Sequence, residues 1–182
     1  MNNQNLINQL NTDHKLEYPE WVQLISSYTE EDREYARSLA QKISIEHFDH
    51  DIYFRGIVEF SNYCKNDCFY CGIRKGNSEC TRYRLSKEEI LSCCENGYSA
   101  GFRTFVLQGG EDPFYTDDMM CDIISSIRTQ YPDCAITLSI GEKDRSSYQK
   151  YFDAGANRYL LRHETADALH YGKMHPPAQT FE

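Results

Sequence analysis

No apolar run in this chain approaches the ~18 residues that a membrane-spanning helix needs, so the sequence predicts no membrane partner. The opening Met1-Asn2-Asn3-Gln4-Asn5 lacks a basic region followed by an apolar stretch, and no secretory leader is expected there. A basic excess is lacking too. There are 28 acidic residues against 19 basic ones, for a formal net charge of −9. That balance argues against a nucleic-acid partner bound by bulk electrostatics, while leaving room for a small basic pocket. The expected setting is the reducing cytoplasm.

What the chain has is cysteine, eight in 182 residues. In a reducing compartment, clustered cysteines favour metal or redox chemistry over disulfides. Five of them, Cys80, Cys93, Cys94, Cys121 and Cys134, are scattered through apparent helices and strands and read as core or surface thiols. The other three form one short loop, Cys64-Lys65-Asn66-Asp67-Cys68-Phe69-Tyr70-Cys71, directly after the apolar run Ile57-Val58-Glu59-Phe60. Three thiolates at this C-x3-C-x2-C spacing can hold three irons of a cubane 4Fe–4S cluster. No fourth cysteine follows at a matching distance, so one iron keeps an open position for a small molecule. The competing reading is structural zinc, with His163 or Cys80 as fourth ligand. Zinc usually takes paired C-x2-C knuckles, and the x3 spacing suits it poorly. Asp67 reads as solvated loop, and His163 as a packed core histidine.

Around this loop the chain is organised in two parts. Residues 1–50 read as a helical lead-in. Thr29-Glu30-Glu31-Asp32 opens a helix with a cap and first-turn acids, and Tyr35, Leu39 and Ile43 lie on one stripe. A shorter helix carrying Trp21, Val22, Leu24 and Ile25 precedes it. From residue 51 strands and helices alternate. The expected strands are Ile52 to Phe60, Thr104 to Gln108, Ala135 to Ser139 and Arg158 to Leu161. Helices open at the capping box Ser86-Lys87-Glu88-Glu89, at Thr116, before Tyr148 and near Thr165, and Met119, Met120, Ile123, Ile124 and Ile127 are expected to face inward on the second of these. Strand–helix alternation of this kind makes an α/β fold with a parallel sheet, curling toward a TIM-like (β/α) barrel. Four strands cannot close such a barrel, so residues 51–182 are expected to be the N-terminal half of a larger one.

In parallel α/β folds, chemistry collects at the C-terminal edge of the strands. The loops there carry the three cysteines, then Gly109-Gly110-Glu111-Asp112-Pro113, then Ser139 to Glu142, then Arg162-His163-Glu164-Thr165. All four are expected to face one mouth. Glu111 suits a cationic amine, Ser139 and Glu164 suit hydroxyls or amines, and Arg162 suits a carboxylate.

These residues resemble the radical S-adenosylmethionine superfamily. The cysteine loop with Tyr70 before its last cysteine, and Gly109-Gly110-Glu111 after the second strand, carry the resemblance. Within the superfamily the chain is similar to the FeFe-hydrogenase maturase branch, HydE. The similarity lies in Arg55 to Cys64, Arg82-Tyr83-Arg84-Leu85, Val106 to Pro113, Thr137-Leu138-Ser139 and Arg158 to Thr165. The resemblance implies a 4Fe–4S cluster on Cys64, Cys68 and Cys71. It further implies S-adenosylmethionine bound by Tyr70, Gly110, Glu111, Ser139 and Glu164, with Arg162 facing substrate. The implied activity is reductive cleavage to a 5′-deoxyadenosyl radical, in the service of assembling the diiron site of a hydrogenase. The implied partners are a small-molecule or organometallic iron substrate, an electron donor such as a ferredoxin or flavodoxin, and other hydrogenase maturases. The alternatives are a related enzyme of biotin or pyrrolysine biosynthesis, or a non-catalytic metal-binding fragment.

Overall fold

The computed structural model describes residues 2–181. The chain divides into two compact units, residues 1–53 and 54–182. The first contains three helices, α1 (Asn3–Asp13), α2 (Tyr18–Ser27) and α3 (Glu30–Phe48). Thr29 caps α3 as its sequence predicts: its hydroxyl accepts from Asp32 N, and Asp32 accepts from Thr29 N at 3.0 Å. The same carboxylate accepts from Asn3 Nδ2 at 3.0 Å, which ties the start of α1 to the start of α3. Leu6 and Ile7 are the buried residues of α1. The stripe residues Leu39, Ala40 and Ile43 line an open apolar groove with Leu24 and Ile25.

The second unit is a four-stranded parallel sheet in the order β1-β2-β3-β4. The strands are β1 (Gly56–Ser61), β2 (Thr104–Gly109), β3 (Ala135–Ser139) and β4 (Arg158–Tyr159). Between and after them run α4 (Lys87–Ser99), α5 (Asp117–Gln130), α6 (Arg145–Asp153) and α7 (Ala168–Met174). Strand alternation sorts the side chains. Val58, Phe60, Phe105, Leu107, Ile136 and Leu138 pack against Ile90 and Cys94 of α4, Met120, Ile123, Ile124 and Ile127 of α5, and Tyr151 of α6. Register then places Ile57, Val106, Thr137 and Arg158 in one row on the opposite face, and Glu59, Gln108 and Ser139 in the next. A register shift between Glu59 and Ser61 marks the mouth end of β1.

Three local expectations need correction. Residues 52–55 are not strand, because β2 begins at Thr104 and offers them no partner; Ile52, Tyr53 and Phe54 are exposed. β4 pairs through Arg158 and Tyr159, Leu160 N still donates to Leu138 O at 2.8 Å, and Leu161 lies beyond the ladder. Met119 is exposed on α5, since the inward stripe there is filled by Met120, Ile123, Ile124 and Ile127. Gly101 sits just past α4 at φ 97, the left-handed turn that ends a helix at glycine.

Candidate functional site

The cysteine loop leaves β1 and is fastened on three sides. Its first fastening is to the loop after β2. Gly110 N donates to Ser61 O at 3.3 Å and Lys65 N donates to Glu111 O at 2.9 Å. The approach is close enough that a Cβ on Gly110 would stand 2.2 Å from Tyr63 O and 2.8 Å from Cys64 Cβ. Glycine is therefore required there by the contact itself. Behind it lies buried Asp112, which accepts Arg84 Nε and Nη2 at 2.7 and 2.9 Å and the Ser61 hydroxyl at 2.6 Å. Arg84 in turn lies against the Tyr63 and Phe114 rings, 3.9 and 4.6 Å from their centroids.

The second fastening is internal. Asp67 Oδ1 accepts Gly76 N at 2.9 Å and Arg74 Nη1 at 3.1 Å, so Asp67 is not the solvated loop residue expected from its type. It closes the turn after Cys71 by capping it. The Arg82 guanidinium donates to the carbonyls of Ile73, Arg74 and Asn77 at 2.9, 2.7 and 3.1 Å and completes that turn. The third fastening comes from the end of the chain. Phe69 N donates to Met174 O at 2.9 Å, Asp67 N donates to Gln179 Oε1 at 3.1 Å, and Tyr70 lies 3.2 Å from His175 Nε2 through its hydroxyl.

Cys64, Cys68 and Cys71 are partly buried and all three are free thiols. Burial pushes the Cys64 thiol up, and the backbone N–H groups of Asn66 and Glu111 oppose that rise. Such N–H groups also stabilise a cluster-bound thiolate. Among the described residues, no three His, Cys, Asp or Glu side chains gather as they would around a single ion. Cys80 Sγ is engaged instead by Asn62 Nδ2 at 3.5 Å, and His163 is exposed. The zinc reading therefore finds no fourth ligand among the described residues. His163 is also not the core histidine its type suggests, because β4 ends at Tyr159 and residues 162–164 run outside the sheet. The donor set fits a cubane cluster, in which each thiolate takes its own iron and the three sulfurs need not converge on one point.

Glu111 stands beside the cysteine loop and over the loop after β3. Its carboxylate accepts Asn66 Nδ2 at 2.8 Å and pairs with Lys65 Nζ at 3.0 Å. A Cβ on Gly141 would stand 2.0 Å from Glu111 Cγ, and Gly141 has φ 78. Ser139 is buried at the end of β3, in register with Gln108. Glu164 occupies a left-handed conformation, φ 54, at the centre of a turn closed by Thr165 N to His163 O at 2.6 Å. Strain of this kind in a residue other than glycine is concentrated at ligand sites. Burial raises the Tyr70 phenol above its usual range, and the charges of Cys68 and Glu164 act in the same direction.

Arg162 Nη2 donates to Gln108 Oε1 at 3.3 Å, and Gln108 Nε2 donates to Glu59 Oε1 at 3.0 Å. The three side chains form a polar line across the face opposite the helices. The structure thus brings Cys64, Gly110, Glu111 and Tyr70 to one mouth; Arg162, beyond the end of β4, reaches Gln108 of β2, and Glu164 stands exposed in the turn that follows. Glu59, Gln108, Lys65, Asn66, Asp112 and Arg84 were not singled out by their pattern. Period-two alternation from Val58 and Phe60 does put Glu59 on the polar face, and that was the available signal.

Comparison with known proteins agrees with this geometry. The Radical SAM superfamily model matches residues 58–182. The chain is 43% identical to the [FeFe] hydrogenase maturase subunit HydE of Thermotoga maritima over 138 residues, covering 76% of this chain and 39% of that protein. It is 33% identical to 3-methylornithine synthase of Methanosarcina acetivorans over 153 residues, covering 83% and 43%. Among solved structures, methylornithine synthase (PylB) superposes with TM-score 0.80 at 29% identity, over 97% of this chain and 52% of that one. HydG, a maturase of the [FeFe]-hydrogenase, superposes with TM-score 0.83 at 25% identity, over 96% and 40%. The chain therefore spans about two fifths of the length of these curated relatives. Its strand–helix units are those of a Radical SAM TIM-type barrel, in part. With the family model covering more than half of its residues, this chain belongs to the Radical SAM superfamily.

Proposed function

We propose that Cys64, Cys68 and Cys71 hold a 4Fe–4S cluster with one open iron, and that S-adenosylmethionine binds there. The observation that carries this reading is the joint between the two loops. Lys65 N to Glu111 O and the absent Cβ of Gly110 set the glycine/glutamate turn directly against Cys64. A cluster held by Cys64, Cys68 and Cys71 would supply the one electron needed for reductive cleavage of S-adenosylmethionine to methionine and a 5′-deoxyadenosyl radical.

The chain's own residues position and shield. Glu111 presents a carboxylate for an ammonium group, and Lys65 and Asn66 keep it oriented. Gly110 offers backbone to the same end of the ligand. On this reading Tyr70 lies along the adenine, and Ser139 and Glu164 bind the same ligand. Arg162, backed by Gln108 and Glu59, offers a cation to an anionic or carboxylate-bearing substrate.

The finer reading is hydrogenase maturation. Its support is the 43% identity to the maturase subunit HydE, against 33% to 3-methylornithine synthase. On this reading the substrate is a small organometallic iron species, the electron comes from a ferredoxin or flavodoxin, and the product passes to other maturases. The second reading, an amino-acid-forming enzyme like 3-methylornithine synthase, is supported by the 83% coverage of this chain in that match.

Anaerobic reconstitution of the full-length protein with iron and sulfide, then dithionite and S-adenosylmethionine, tests the core of the proposal. The expected product is 5′-deoxyadenosine, with iron content lost in Cys64→Ala. No 5′-deoxyadenosine from iron-loaded protein overturns it. Restoration of hydrogenase activity in a maturation assay separates the two finer readings.

A further inference from the structure

Gln179 lies 111 residues from Cys68 in sequence, yet its side chain bridges the middle of the cysteine loop. Its Oε1 accepts Asp67 N at 3.1 Å, and its Nε2 lies 3.5 Å from Cys68 Sγ. The orientation of the carboxamide follows from chemistry. A backbone N–H only donates, so the oxygen must face Asp67 and the NH2 group must face the sulfur. The segment that carries Gln179 is itself anchored. Gln179 N donates to Pro176 O at 2.9 Å, buried His175 is stacked on Tyr171 at 3.8 Å, and Tyr171 meets the Phe181 ring edge at 5.4 Å. Phe69 N to Met174 O fastens the same segment one residue beyond Cys68.

We propose that Gln179 is a positioning residue for the cluster, setting the place of Cys68 and raising the cluster's reduction potential through an N–H···S hydrogen bond. The inference rests on the reading that the cysteine loop holds an iron–sulfur cluster. The physical reason is charge. Reduction adds an electron to the cluster, and an N–H dipole aimed at a coordinating sulfur stabilises that added negative charge. The bond to Asp67 N does a different job. It ties the backbone of the loop at the residue before Cys68, so that the sulfur arrives already aimed. Nothing in the C-x3-C-x2-C spacing points to a glutamine so distant in sequence.

The test measures the cluster's midpoint potential by EPR-monitored redox titration of the reconstituted full-length protein, with Gln179→Glu and Gln179→Leu beside the parent. In Gln179→Glu one carboxylate oxygen still accepts Asp67 N–H, while the other sets an acceptor against the sulfur. In Gln179→Leu both bonds are gone. Both potentials are expected to fall, and that of Gln179→Glu to fall further. An unchanged potential in either variant that holds its cluster overturns the inference. Loss of iron from both variants with an unchanged circular-dichroism spectrum supports the positioning role. Unfolding of both overturns it, since Gln179 would then serve the fold at large. A parent protein that takes up no cluster refutes the iron–sulfur reading itself, a separate outcome from a parent that does and variants that do not shift.

Discussion

Asp112 takes both arms of the Arg84 guanidinium, at 2.7 and 2.9 Å, while its own carboxylate is almost wholly withdrawn from water. Through Ser61 it also holds the residue from which the cysteine loop departs, so one buried ion pair sets the distance between that loop and the turn after β2. Such a pair adds little net stability over an apolar replacement, but removing one partner leaves the other charge stranded. Asp112→Asn is therefore expected to lower the unfolding free energy by about 3 kcal/mol, the lower end for a buried pair because Arg84 remains a third exposed. A urea titration reads this as a fall in midpoint. A fall of less than about 0.5 kcal/mol would show that the pair does not hold the joint.

The same carboxylate predicts an acid limb. Burial by itself would raise its pKa; Arg84, the Ser61 hydroxyl and Phe114 N–H outweigh that and hold it below the usual carboxylate range. A group whose pKa is lower folded than unfolded stabilises the fold above its unfolded value, ~3.9, and loses that contribution as pH falls toward the folded value. The urea midpoint is expected to stay level from pH ~7 to ~5 and to decline below pH ~4. In Asp112→Asn the decline is expected to be shallower. The part that remains comes from the other carboxylates held down in the fold: Asp117 chiefly by the Tyr151 hydroxyl, Asp67 chiefly by Gly76 N–H, Asp32 chiefly by Asn3, Glu89 chiefly by Ser86 N–H and Glu34 chiefly by Arg37. Identical acid limbs in parent and variant would remove Asp112 from this account.

Legibility in the sequence followed the range of the interactions. The strands of Phe105, Leu107, Ile136 and Leu138 were readable because their apolar runs are local. So were the caps at Thr29, Ser86 and Thr116, each a side chain bonded three residues on. The cysteine loop was readable because its three thiols lie within eight residues. Arg84 to Asp112 spans 28 residues, Glu59 to Gln108 spans 49 and Asp67 to Gln179 spans 112, and no local pattern carries such pairs. The extent of β1 and β4 escaped for a related reason. Strand ends depend on the neighbour's length, and Ile52 to Phe54 are as β-prone as any strand but have nothing to pair with.

Gly110 and Gly72 make a matched pair for testing the joint between loops. A methyl group on Gly110 would collide with the Tyr63 carbonyl and with Cys64, both parts of the backbone path into the cysteine loop. Nothing lies within 4 Å of the same position at Gly72. Gly110→Ala is expected to cost about 3 kcal/mol or to displace the loop, seen as reduced iron uptake on reconstitution. Gly72→Ala is expected to be neutral or to stabilise by up to about 1 kcal/mol through the unfolded chain. Equal behaviour of the two variants would mean that the close approach at Gly110 does not organise the loop.

His175 joins two rings in different ways, and substitution separates them. Its Nδ1 lies 3.0 Å from the Tyr171 carbonyl, which only accepts, so Nδ1 carries the proton and Nε2 is left to accept the Tyr70 hydroxyl. Its ring is stacked on Tyr171 and meets Tyr70 edge-on. His175→Phe keeps an aromatic ring in place and removes both hydrogen bonds. Tyr70 is half-exposed, so water replaces its partner, and the cost is expected to be about 1 kcal/mol, read as a drop in Tm of roughly 3 °C. His175→Ala loses the stack as well and opens a cavity, so its drop is expected to be several times larger. If both variants melt together, the hydrogen bonds are the whole contribution and the stacking is incidental. If His175→Phe melts with the parent, the Tyr70 contact does not fasten the cysteine loop to the segment after α7.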